Sequence, residues 1–307
     1  MATPAYNKKI QLWIFFSYTF IGDLMLKKLI RVILILLLSV FSFYYTNKSI
    51  ELVREQDPIM KTIRSTSDKY NVQAVNAEIK DNTIIPGISG KEINYVESYT
   101  KMKQYGMYNE IMTILKDVEP TISVDDYYDK YIISGNKIKR SVALVFKIEQ
   151  TTPKEIINIL NKNKISSTFF IDGEYLENNS KDITLMTNHE LELLSYNKGY
   201  DEIYFSSSKD YLESLTNRKL KYCYSDYDKE EVINLCQKLK LHTIVPTINI
   251  KNSLLKEVKE QLSNSAIISI PNSKNTKQEL DTTIKYIKSR GYTIETLEDL
   301  LNENLEK

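Results

Sequence analysis

The sequence predicts an α/β protein. A compact barrel of parallel strands wrapped by helices follows a small α/β region and an N-terminal apolar helix. Three observations carry this expectation. From Ser141 onward, short apolar runs alternate with helical patterns. About seven such strands in roughly 165 residues suit a compact barrel better than a full eightfold one. Near the N-terminus, Val32 to Tyr45 reads VILILLLSVFSFYY without a charge.

Composition narrows the function classes. The 307 residues are 42% apolar and 26% charged, which excludes wholesale disorder. Forty-one basic residues against 40 acidic ones give a net charge of +1 and no reason to expect a nucleic-acid partner. Two cysteines exclude a disulfide scaffold or a cysteine-rich zinc module. Two histidines, His189 and His242, exclude a multi-histidine metal centre. Few glycines and abundant Lys, Asn, Ile and Tyr are the composition of an AT-rich genome, as in a Gram-positive bacterium.

The first element is a membrane segment over residues 29–46. Leu29 to Tyr45, interrupted only by Arg31, is a helix of about 26 Å, adequate for a hydrocarbon core of about 30 Å when Lys28 and Arg31 snorkel. Lys27, Lys28 and Arg31 place the N-terminus in the cytoplasm and the rest outside. A cleaved signal peptide is the alternative, but the site after Val40-Phe41-Ser42 is poor because Phe43, Tyr44 and Tyr45 follow. Residues 1–28 form a cytoplasmic extension; Met25 is the favoured start. Residues 47–57, closed by Pro58, read as a linker or stalk.

Residues 58–136 read as a small α/β region. Ile59 to Tyr70 has helical spacing, residues 73–79 alternate like a strand, 84–90 is a turn-rich loop, and 93–117 is helical in two pieces broken near Gly106. Tyr127, Tyr128 and Tyr131 form the one dense tyrosine run. Residues 137–307 are the barrel. Strands are expected at 142–148, 165–172, 191–195, 220–224, 242–246 and 266–270, with a short one at YTIET. Thr152 caps a helix whose first residue is Pro153. Further helices are expected at 228–239, 253–263, 275–289 and from Leu297. Glu190 and Glu192 flank apolar residues and read as a solvent face. A disulfide between Cys223 and Cys236, linking a strand to the following helix, is not expected without geometry to support it.

Several stretches carry a family resemblance. SVALVF, PKEIINILNKNKISSTFFIDG, LMTNHELELLSYNKGY, KYCYSDYDKEEVINLCQKLKLHTI and TTIKYIKSRGYTIETLEDLL come one after another in the order and spacing of landmarks in the polysaccharide deacetylases. These are the NodB-homology carbohydrate esterases. STFFIDG and the last stretch are the most specific. The resemblance covers residues 139–301 and implies a distorted (β/α)7-type barrel. It also implies hydrolysis of acetyl groups on glycans by a zinc ion held by one Asp and two His, with a second Asp as base and a late His as acid.

Carried over residue by residue, that chemistry is missing. The family's "TFDDGP" is matched by Val145-Phe146-Lys147-Ile148-Glu149-Gln150, so Lys147 stands at the base position and Ile148 at the metal aspartate. The metal histidines fall at Leu194 and Lys198. Lys221 matches the bracing arginine, Tyr224 keeps an aromatic, and Ile270-Pro271 replaces the motif with the acid histidine. Glu149 reads as a solvated loop carboxylate, and His189 and His242 as structural or surface residues. No nucleophile elbow, Walker or dinucleotide motif is present.

The sequence therefore points to a membrane-anchored, extracytoplasmic pseudoenzyme with no cofactor. Its old cleft, lined by Lys147, Ile148, Glu149, Leu194, Tyr196, Lys198, Lys221, Tyr224 and Pro271, is expected to be cationic. It would hold an anionic cell-wall glycan or an envelope protein. The alternatives are a scaffolding protein with a filled cleft and a deacetylase using a non-standard site.

Overall fold

The computed structural model describes residues 5–194 and 201–304. Contacts divide the chain into two compact units, Met1–Lys69 with Ile93–Ile114, and Tyr70–Glu92 with Leu115–Lys307. Residues 58–136, read from sequence as one small region, are thus shared between the two.

The first unit contains α1 (Ala5–Gln56), α2 (Pro58–Ser65) and α3 (Tyr95–Tyr105). Among the described residues one helical stretch, Leu29–Gln56, is long and apolar enough to cross a membrane. Residues 47–56 continue this helix, so the expected linker is a helical stalk. Asp57 breaks it by capping α2: its carboxylate accepts the Ile59 amide at 2.9 Å, and Pro58 takes the first turn, where no amide donor is needed. The same carboxylate accepts from Lys103 Nζ at 2.6 Å and Tyr99 Oη at 3.1 Å. Met60, Ile63, Ile93 and Met102 are buried. Gly106 ends α3 with φ +75°, a left-handed cap open to glycine. After it the chain makes a 3-10 turn, Glu110–Met112, and then a strand, not the second helical piece expected.

The second unit is built on an open, barrel-like sheet. Its strands are β1 (Glu78–Lys80), β2 (Thr83–Ile85), β5 (Tyr131–Ile132), β6 (Ser141–Ile148), β7 (Thr168–Ile171), β8 (Glu190–Leu194), β9 (Tyr222–Tyr224), β10 (His242–Ile244), β11 (Ile248–Asn249), β12 (Ile267–Ile270) and β13 (Thr293–Glu295). Strands β3 (Gly90–Ile93) and β4 (Leu115–Val118) pair separately. The order is β1-β2-β5-β10-β9-β8-β7-β6-β12-β11, with β13 also pairing to β6. Only β1 and β2 pair antiparallel; the rest of this sheet is parallel. Through β2 and β5 the chain ahead of residue 137 extends the barrel sheet.

Helices α4 (Lys154–Lys162), α5 (Gly173–Asn179), α6 (Glu202–Thr216), α7 (Glu230–Lys238), α8 (Leu254–Gln261), α9 (Lys274–Ser289) and α10 (Leu297–Leu301) complete the unit. Helix α6 had no counterpart in the sequence reading. The cap of α4 is Pro153, not Thr152, whose hydroxyl instead meets Tyr175 Oη at 2.7 Å and donates to Asp182.

Alternation along β6 divides the core. Val142, Leu144, Phe146 and Ile148 join the cluster that includes helix residues such as Ile156, Leu160 and Ile284. Ala143 and Val145 join Phe170, Leu194, Tyr222, Tyr224, Ile244 and Ile267 on the inner face. The short α10 is held at both ends by remote side chains. Glu190 accepts from the Leu297 and Glu298 amides at 2.8 and 3.2 Å, and Lys139 Nζ donates to the carbonyls of Asp299, Leu300 and Asn302.

Candidate functional site

Lys147 shares the inner face with Ala143 and Val145 by the strand's two-residue period and emerges at the C-terminal end of β6. Its ammonium lies 2.8 Å from Asp226 Oδ1, in the loop after β9, and 5.2 Å from the centroid of the Tyr224 ring. Tyr224 Oη donates to the same Asp226 oxygen at 3.1 Å. With that proton committed, the 2.7 Å contact between Tyr224 Oη and Ser269 Oγ has the serine as donor. Burial pushes the Tyr224 phenol far up, so it stays protonated as a donor. The chain of contacts Lys147–Asp226–Tyr224–Ser269 links β6, the β9 loop and β12. It braces the C-terminal mouth of the barrel with one cation paired to one anion.

The other expected cleft residues are placed differently. Leu194 is buried in the inner cluster. Ile148 faces the helix layer, because it has the opposite parity to Lys147, and so does not line the cleft. Glu149 is exposed and borders a depression of about 500 Å³ with Asp172 and Glu174. Pro271 comes directly after β12, whose Ile270 is in register with Phe146, so it sits level with Lys147. Tyr196 and Lys198 lie outside the described residues. Lys221 precedes β9 and lies three residues before Tyr224, roughly 10 Å along a strand. Its ammonium pairs with Glu298 at 2.8 Å, at the start of the helix after β13. β13 in turn is in register with the first residues of β6. Lys221 therefore belongs to the opposite end of the barrel from Lys147, and the expected cationic cleft does not form from these two lysines.

Two acids read as solvent-facing are inside the barrel. Glu190 and Glu192 are 2% and 3% exposed. In a sheet covered on both faces, polar–apolar alternation separates inside from outside rather than water from core. Glu190 also accepts the Thr168 hydroxyl. Glu192 accepts the Tyr222 amide at 3.0 Å and the Lys221 amide at 3.1 Å. Burial raises both carboxyls, and the charge of Glu190 lifts Glu192 further, to well above the ordinary range.

Both histidines are buried. His189 is buried, with Nδ1 accepting the Ser167 amide at 3.3 Å, and burial lowers its pKa. His242 opens β10, buried, its ring stacked on Tyr128 at 4.2 Å. Cys223 and Cys236 form a disulfide after all, with Cα atoms 6.3 Å apart. The strand–helix crossing of β9 and α7 supplies the close approach that the sequence could not specify.

Comparison with solved structures identifies the architecture. The CE4-family pseudoenzyme BA3943 from Bacillus anthracis superposes with a TM-score of 0.61 at 22% identity, covering 81% of this chain and 96% of that one. The fold is that of the family 4 carbohydrate esterases. A BA3943 mutant described as having restored enzymatic activity also aligns with a TM-score of 0.61 at 22% identity, over 81% of this chain and 99% of that one. The Bc1960 peptidoglycan N-acetylglucosamine deacetylase aligns at 0.52 and 18% identity, over 58% of this chain and 94% of its own. By sequence, the uncharacterized protein YlxY of Bacillus subtilis (strain 168) is 25% identical over 278 residues, 83% of this chain and 87% of YlxY. No protein-family model matches the chain.

The esterase fold implies a metal at the C-terminal mouth, and the residues present do not fit one. The base position holds an ammonium already paired with Asp226, the first histidine position holds buried Leu194, and Ile148 faces away. Among the described residues no three or more His, Cys, Asp or Glu side chains are grouped to hold a metal ion. No catalytic step through a metal can be derived from this site.

Proposed function

We propose that the chain is a catalytically inactive relative of the family 4 carbohydrate esterases, anchored in the cell membrane and acting as an envelope binding or scaffolding protein. The observation that carries this reading is the Lys147–Asp226–Tyr224–Ser269 brace. It places a cation and its counter-ion where the esterase chemistry needs a carboxylate base and a metal. A water without a metal keeps a pKa near 15.7 and is a poor nucleophile, and proline at 271 has no proton to give. Because the ammonium at the base position is already paired with Asp226, the scaffolding form is favoured over capture of an anionic glycan in the old cleft.

The test uses the full chain purified in detergent micelles. Elemental analysis is expected to find no stoichiometric zinc, and no acetate release above the buffer rate is expected from acetylated chito-oligosaccharide or peptidoglycan. Stoichiometric zinc together with acetate release would refute the proposal and support a deacetylase with a non-standard site.

The location is proposed as extracytoplasmic, with the N-terminus inside. The basic cluster ahead of Val32, the apolar helix and the Cys223–Cys236 disulfide, a bond typical of oxidising compartments, support it. An impermeant thiol reagent on intact cells should label a cysteine introduced at the exposed Lys181. Protection of that site would place the barrel inside.

A further inference from the structure

Helix α1 runs on from its apolar segment into a stalk that has apolar residues of its own. Ile50 and Val53 are 57% and 72% exposed. They lie roughly 8 and 12 Å along the helix beyond Tyr45, where the apolar run ends. Asn47, Lys48, Ser49 and Glu51 are interleaved with them, the composition of a helix in water. Lipid tails that cover residues 29–45 therefore do not cover these two.

The exposed pair belongs to a longer pattern. Counting in sevens from Leu29, Leu36, Phe43 and Ile50 share one position, and Val32, Ser39, Thr46 and Val53 stand three residues after each. That is the a/d pattern of a coiled coil, and it passes from the apolar segment into the stalk without a break in the helix. In the stalk the positions flanking it are polar: Asn47, Ser49, Arg54 and Gln56. The Ser39 and Thr46 hydroxyls donate to the Ile35 and Ser42 carbonyls at 2.8 Å, so they bring no unsatisfied donor to a helix contact.

The packing of the first unit leaves this stripe open. Helix α2 is tied to α1 through Arg64, whose guanidinium donates twice to Glu55, at 2.5 and 2.7 Å. Glu55 projects roughly 170° round the helix from the midline between Ile50 and Val53. Helix α2 thus takes the opposite side of the stalk.

A second copy of the chain fits the open stripe. Two copies anchored in one membrane share an orientation, so their helices pair in parallel. In a parallel pair each a position meets its own counterpart, and so does each d. The flanking positions then set Ser42 against Asn47 and Ser49 against Arg54 across the pair, with no like charges opposed.

We propose that the chain pairs with a second copy of itself through the a/d stripe of α1 over residues 29–53, with Ile50 and Val53 closing the pair outside the membrane. This rests on the membrane anchoring proposed above.

The experiment places single cysteines in the full chain, whose own two cysteines are bonded to each other. In membranes treated with copper phenanthroline, Ile50→Cys and Val53→Cys should give a disulfide-linked dimer several-fold faster than Lys48→Cys and Leu52→Cys, which point away from the stripe. Leu52 is the one apolar stalk residue off the stripe, so it shows whether apolarity alone suffices. In detergent micelles, sedimentation should give the mass of two chains for the wild type and of one for Ile50→Glu/Val53→Glu. The melting temperature should not change in that variant, because both side chains are exposed. Equal cross-linking at all four positions, a single-chain mass for the wild type, or a two-chain mass for the double variant would overturn the pairing. Carbonate extraction tests the anchoring separately: the protein should stay in the membrane fraction, and its release would overturn the anchoring together with the parallel pairing that depends on it.

Discussion

Replacing Glu192 by glutamine tests whether the barrel interior holds a carboxyl that resists ionisation. The side chain is 3% exposed, next to Glu190, with two backbone amides as its contacts in the interior. Its folded pKa lies above the ordinary value of 4.5 because of burial first and the charge of Glu190 second. A carboxyl raised on folding contributes its stability fully below the unfolded pKa and loses it as pH rises towards the folded pKa. Glutamine has nearly the same shape, accepts the same amides and does not titrate. Its amide protons carry a fixed cost that does not change with pH, so the signal is the pH dependence. Each unit by which the folded pKa exceeds the unfolded one is worth about 1.4 kcal/mol. Between about pH 4.5 and pH 7.5 the variant should therefore gain on the wild type, by no more than about 1.4 kcal/mol for each pH unit crossed. Urea denaturation of both proteins at several pH values measures the difference. Parallel stability curves across that window would mean that Glu192 ionises normally in the folded protein, and would refute the assignment of a raised pKa.

Two further perturbations concern the sheet and the disulfide. Expressing residues 138–307 alone removes β1, β2 and β5 and the buried Ile84, Val124 and Ile132, and leaves β10 as an open edge. Stability should fall by several kcal/mol, the scale of burying a few large side chains, and an unchanged melting temperature would show that the extension is dispensable. Cys236→Ser should cost about 2–4 kcal/mol in oxidised protein and nothing further once reductant is added; equal stability of the two oxidised proteins would show that the bond does not form.

The most legible part of the sequence was the run from β6 through β7. Its apolar strands, the PKEIINIL helix and the Asp172 turn all agree locally with the fold. Helix α6 was illegible because two of its four buried positions are not apolar. Phe205, Ser208, Leu212 and Glu213 are the buried residues. Ser208 is small because the backbone at Gly173 comes so near that a Cβ there would lie 2.6 Å from its hydroxyl oxygen. The serine-rich centre, Ser206-Ser207-Ser208, also has weak helix propensity. The inward acids of β8 were misread for a related reason. An E-L-E-L pattern has the period of a half-exposed strand, and only the packing on each side of the folded sheet shows that both faces are covered. At the esterase mouth the substitutions themselves were readable. Which of them share a face depended on strand parity and on which end of β9 carries Lys221, and neither is visible before the register is known.

The anchoring of α10 bears on the order in which the protein can be made. Five residues are too few to hold a helix by themselves. Here the first amides are taken by Glu190 and the last carbonyls by Lys139, residues translated long before Leu297. Until the ribosome has released those last turns, the interior carries a carboxyl and an ammonium without these partners, and a strand β6 without β13 beside it. A chain still in synthesis cannot settle into its final packing. The final packing of this end of the sheet therefore waits on the residues around Leu297.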